Sequence, residues 1–148
     1  MQNSNYLRFF GMLIVSFCVM YGVMFLNVND LEHIYSSTTR LYMTILMISP
    51  MAIIMLVFMP KMYPNNKLNL AIYILSAVIF VIAFTFLRNQ TFISDNEYLR
   101  AMIPHHSSAI LTSSRADLKD PQVRQLADSI IKSQRKEIYL MKSFLERP

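Results

Sequence analysis

Tryptophan is missing from this 148-residue chain, cysteine occurs once and glycine twice. The single thiol, Cys18, excludes an intrachain disulfide and any Cys-based metal cluster. Charge is absent over long stretches: Phe9 to Leu26, Leu41 to Met59 and Leu68 to Leu87 hold no Asp, Glu, Lys, Arg or His. Each run is close to the roughly 20 residues that carry a helix across a bilayer core. The runs also lack polar alternation, which excludes a β-barrel. A chain in lipid must satisfy its own N–H and C=O groups, so three transmembrane helices are expected. The 54% hydrophobic content is concentrated in this first part of the chain.

The first run is preceded by one basic residue, Arg8, as in a signal peptide. Its exit through Asn27, Val28 and Asn29 has no small-x-small cleavage pattern, so an uncleaved anchor is expected. Gly11, Cys18 and Gly22 fall near one face and would let a neighbouring helix approach closely. The connections, Asn27 to Arg40 and Pro60 to Lys67, are short, so the spans should alternate in direction. Pro60, Pro64, Asn65 and Asn66 make the second connection a compact turn. Arg8, Lys61 and Lys67 flank one side and Arg40, Arg88 and Arg100 the other, a tie in Lys and Arg. The first loop pairs Arg40 with Asp30 and Glu32, which tips the N-terminus toward the cytoplasm. The expected localisation is a bacterial inner membrane, multi-pass, with the C-terminal domain extracytoplasmic.

The domains are expected at 1–90, a three-helix transmembrane domain, and 91–148, a helical hairpin. Ser94 and Glu97 have capping-box spacing and open a helix to about Ala116; Asp120 and Pro121 restart one that runs to about Leu145. Apolar stripes recur at helical spacing, Leu99, Met102, His106, Ala109, Ile110 and Ser113 on the first, Val123, Leu126, Ile130, Gln134, Ile138, Met141 and Leu145 on the second. The fold class is all-α, and a lone hairpin buries only one seam, so pairing of two hairpins into a four-helix bundle, as a homodimer or higher homo-oligomer, is expected. The net charge of +5 is dispersed, with nine Lys/Arg against seven Asp/Glu after Ser94, so no nucleic-acid surface is implied.

Met102, His105 and His106 stand at i, i+3 and i+4, which brings a thioether and two imidazoles onto one helical turn. That soft set suits Cu(I) and Ag(I) better than oxygen-seeking Mg, Ca or Mn. Pro104 removes a helical hydrogen bond just before the pair and should kink the helix. The bland alternative is a solvent-facing His105 and a hydrogen-bonded His106 with no metal. No nucleophile, base and orienter constellation appears, so an enzyme is not expected. Ser107, Ser108, Ser113 and Ser114 read as surface and packing positions.

The segments DNEYLRAMIPHHSSAI and LADSIIKSQRKEIYLMKSFL resemble a bacterial domain family with a Met-Ile-Pro-His-His signature, long labelled as of unknown function. The resemblance spans Asp95 to Leu145 and implies a ferritin-like helical bundle with extracytoplasmic copper and silver binding. It implies metal ligands at Met102, His105, His106 and Met141, with Gln134 and Glu137 at polar positions of the closing helix. Thr112 stands where the family usually has a further Met, and Phe144 where it often has Trp. If the hairpin turns near Lys119, Met102 lies opposite residue 135, about two turns short of Met141. Met141 then needs a register offset, a second subunit or a second metal.

In the second run Met43, Met47, Met51, Met55 and Met59 recur every fourth residue. This resembles the Met-x-x-x-Met helix of three-span copper permeases, which implies a possible metal path. The third run lacks the Gly-rich packing of those permeases, and the other reading is that Met fills gaps in a helix kinked at Pro50. The favoured function is a membrane-anchored Cu(I)/Ag(I) protein for buffering, resistance or hand-over, with membrane lipid and a copper-transfer protein as partners. The alternatives are a metal-free interaction module and a permease component.

Overall fold

A computed structural model describes residues 2–147, with side chains from Ser4 onward. Among the described residues the chain is all-helical: α1 (Gln2–Val23), a 3-10 turn (Leu31–His33), α2 (Thr38–Phe58), α3 (Asn66–Asn89), α4 (Asp95–Arg115) and α5 (Pro121–Leu145). The first three α-helices are long and apolar enough to cross a membrane, over Ser4–Val23, Thr38–Phe58 and Asn66–Asn89. α2 is continuous through Pro50 and α4 through Pro104, so neither proline breaks its helix.

The chain divides into two compact units. The first holds residues 1–23 and 39–92, and the second holds 24–38 and 93–148. Residues 24–38, expected to be a plain loop of the transmembrane domain, therefore belong with the hairpin. The physical reason is that their polar groups and one aromatic ring are spent on α4 and α5, as described below.

In the first unit α1 to α3 close around Phe9, Leu56 and Tyr63, all essentially inaccessible. At one end two buried polar side chains pair inside, whereas the buried Tyr63 Oη has no hydrogen-bond partner. Tyr6 Oη donates to Asn69 Oδ1 at 2.9 Å, and Asn69 Nδ2 donates to the Tyr63 carbonyl at 2.8 Å. Asn65 caps α3 by accepting from Leu68 N. At the other end Tyr42 Oη donates to the Thr91 carbonyl at 2.9 Å. The outward surface carries Ile54, Val57, Leu70, Ile74 and Val81, all exposed, an apolar coat that suits lipid rather than water. The close approach expected at Gly11 and Gly22 does not occur within the chain. A Cβ added at either would meet nothing within 4 Å, and Cys18 is exposed.

The second unit is the α4–α5 hairpin with residues 24–38 strapped across one face. Ser94 Oγ accepts from Glu97 N to start α4, and Asp120 accepts from Gln122 N and Val123 N ahead of Pro121 to start α5. Ile103, Ile110, Ile138 and Met141 form its buried cluster, joined by Leu99, Met102, Ile131 and Leu145 from the helices and Tyr35 from the strap.

Candidate metal centre

Residues 103, 106 and 110 of α4 turn toward α5, because steps of three and four bring side chains back to one face. His106 is buried there, 9% exposed. Its Nδ1 lies 2.9 Å from the Met102 carbonyl and its Nε2 2.7 Å from Glu137 Oε2. Both partners accept, so the two bonds form together only when both ring nitrogens carry hydrogen. Glu137 in turn accepts from the Ser133 hydroxyl at 2.6 Å. That bond first, and the one from His106 second, hold the Glu137 carboxyl below the usual carboxylate range.

The His106–Glu137 bond also sets the hairpin register. Met102 is one turn before His106 and Met141 one turn after Glu137, so in an antiparallel pair the two methionines come level. Both belong to the same apolar cluster. The equal-distance register that put Met102 opposite residue 135 therefore does not hold, and an offset that brings Met141 level with Met102 is present. His105 stands apart: it is exposed, and its ring centre is 6.0 Å from that of His106 at an interplanar angle of 64°. Gln134 Oε1, on the same side of α5, is buried without a hydrogen-bond partner.

Among the described residues no three His, Cys, Asp or Glu side chains gather into a group able to hold a metal ion. The donors that the hairpin does gather are the Met102 and Met141 thioethers beside the His106 imidazole, a set suited to a soft monovalent ion. To use His106 Nε2, such an ion must displace a proton and the Glu137 carboxylate.

The strap is what sequence reasoning missed. Ser107, read as a surface or packing position, is fully buried, accepts from Asn29 N at 2.8 Å and pairs with His33 Nδ1 at 2.9 Å. Asn27 Nδ2 donates to Ser108 Oγ, and the Thr38 amide and hydroxyl both donate to Glu97 Oε2. Burial first, and the nearby Lys142 charge second, push the His33 imidazole pKa below its ordinary value. An Asn-rich loop between two spans carries no sequence signal for these partners, which lie 59 to 81 residues away.

The methionines at positions 43 to 59, four of them in α2 and Met59 just past its end, do not form one file. Met43, Met47 and Met59 are exposed, whereas Met51 and Met55 pack into the core around Phe9. The ridge winds around the helix because every fourth residue advances by about 40°.

Residues 85–145 match a domain described as "Domain of unknown function (DUF305)". The chain is 38% identical over 149 residues to an uncharacterized protein of Acanthamoeba polyphaga mimivirus, a similarity covering 99% of this chain and 94% of that protein. No solved structure matches. With an alignment running nearly end to end over both chains, this protein belongs to the same family as the mimivirus protein and carries the DUF305 domain across its α4–α5 hairpin.

Proposed function

We propose that this protein is a membrane-anchored binder of Cu(I), and by the same chemistry Ag(I), that buffers, sequesters or hands over the ion as cargo. The observation that carries the reading is the register of the hairpin, which brings Met102 and Met141 into one cluster beside His106. Met102, His106 and Met141 are the donors, and His105 joins them only if its exposed ring turns toward the ion. Glu137 acts on a donor rather than on the metal, orienting His106 and yielding when the ion arrives, and buried Gln134 Oε1 stands on the same side of α5 without a hydrogen-bond partner. The hairpin unit stands on the extracytoplasmic side of the membrane that α1 to α3 cross.

The test is titration of the full chain in detergent with Cu(I), Ag(I) and Zn. The full chain is needed because a fragment from Ser94 onward would lose the strap. Cu(I) should bind in preference to Zn. Met102→Leu, which keeps volume and deletes the sulfur, should weaken Cu(I) binding by about tenfold or more with helicity unchanged, on the scale of losses at metal-site shells. Zn binding as tight as Cu(I) binding, or an unaffected Met102→Leu, overturns the proposal.

A metal-free interaction module is favoured by a different observation: the His106–Glu137–Ser133 chain is complete as it stands. Metal analysis of protein purified from copper-replete cells separates the two readings. Copper below about a tenth of an equivalent per chain, while tolerance of the cells to copper is unaltered, supports the module.

A further inference from the structure

The hairpin has two broad faces, and only one is covered. The strap lies over the side that carries Ser107 and Glu97 on α4 and Lys142 on α5. The opposite side presents Tyr98, Met102 and His105 on α4, at helical steps of four and three, and Leu126, Glu137 and Phe144 on α5. Its large side chains lie open: Tyr98 is 52%, Leu126 59% and Phe144 42% exposed, and Leu140 at the rim is 41% exposed. Together these side chains make an apolar strip along that side, the kind of surface that marks an interaction site.

We infer that this face is the seat of a second copy of the chain, paired through a two-fold axis along the hairpin so that α4 of each copy lies against α5 of the other. The face is self-complementary under that rotation. A rotation about that axis leaves every residue at its own height, and the His106–Glu137 bond fixes which residues of α4 and α5 share a height. Exposed His105 of one copy then meets the partner's Glu137, because His105 and Glu137 share a height along the hairpin. By the same rule Tyr98 meets the partner's Phe144, because Tyr98 is eight residues before His106 and Phe144 seven after Glu137. Basic group meets acidic group, and ring meets ring, in one register. The parallel sense follows from connectivity: each α4 begins six residues after α3 ends, so both hairpins rise from the same membrane surface. Two helices also bury too little surface to stand alone comfortably, and four relieve this.

Pairing would enclose Met102 and His105 of both copies, but it does not rest on metal binding. Sedimentation of the detergent-solubilised full chain should give a dimer at micromolar concentration. Leu126→Glu with Leu140→Glu should return a monomer whose helicity is unchanged. In a Cys18→Ser background, chains carrying Tyr98→Cys co-expressed with chains carrying Phe144→Cys should form the mixed disulfide in at least threefold excess over either homodisulfide. A wild-type chain that is monomeric at every concentration overturns the inference, as does a dimer indifferent to the paired Glu substitutions. A probe at position 126 quenched by lipid-borne quenchers in nanodiscs would also overturn it, since the face would then lie on the bilayer. Tight Cu(I) binding by a strictly monomeric chain would remove the pairing and leave the metal reading intact.

Discussion

Glu97 sits at the third position of α4, where a capping box would turn its side chain back to the Ser94 amide. It reaches instead to the strap, accepting from Thr38 N at 2.7 Å and Thr38 Oγ1 at 2.8 Å. The backbone bond first, and the hydroxyl bond second, hold its carboxyl below the ordinary value of 4.5. Glu137 is lowered in the same direction. A carboxyl lowered by folding contributes stability above its unfolded pKa, and that contribution is lost as pH falls through the folded value. Thermal melts followed by circular dichroism should therefore be insensitive to these two groups between pH 7 and about 5 and should drop below about 4.5. Glu97→Gln should be less stable at neutral pH and show a shallower acid slope. An unchanged slope would mean that the Thr38 bonds carry no net stability. The identity of the His pair is legible in the sequence, but the division of labour is not. Which imidazole is buried depends on the face turned to α5, and Glu137 becomes a partner only through a register that a single helix does not contain.

The element ends were legible to within a residue or two wherever a side chain caps them. Ser94, Asp120 and Pro121 mark α4 and α5 as expected, because a cap is a local event that needs only its own three or four residues. Asp120 Oδ1 accepts from Gln122 N at 2.7 Å, satisfying an amide that α5 would otherwise leave free. Asp120→Ala should cost about 1 kcal/mol of hairpin stability, and Asp120→Asn much less, in denaturant melts of the full protein. Equal losses in both variants would assign the effect to charge rather than to capping. What could not be read was the pairing of one element with another. The strap offers Asn27, Asn29 and His33, ordinary loop residues, and their partners are hydroxyls on a helix far along the chain. The Met ridge of α2 shows the same gap: its spacing is explicit in the sequence, but which sulfurs face outward depends on where α1 and α3 settle.

At the scale of the whole molecule, the strap follows α1 and the hairpin follows α3, so two further crossings separate them. If α2 and α3 both cross, strap and hairpin emerge on one side, as their shared unit requires. In a Cys18→Ser background, a membrane-impermeant thiol reagent should label Glu32→Cys and Lys136→Cys from the same side of sealed vesicles. A reporter fused at the C-terminus should be active only in its extracytoplasmic form. Labelling from opposite sides would break the three-crossing topology, and activity of a cytoplasm-only reporter would invert it. Charge alone left this undecided because the flanking Lys and Arg are evenly split.

The strap also orders events in time. Its hydrogen-bond partners at Ser107 and Ser108 lie 74 to 81 residues later in the chain. At about 5–20 residues per second, a ribosome takes roughly 4–16 s to make that stretch. During that interval the strap is without these partners, while α2 and α3 are still being made. A chain interrupted anywhere before α5 holds a strap with nothing complete to close over, so the membrane-spanning part can mature first and the hairpin unit is the last piece of the protein to become native.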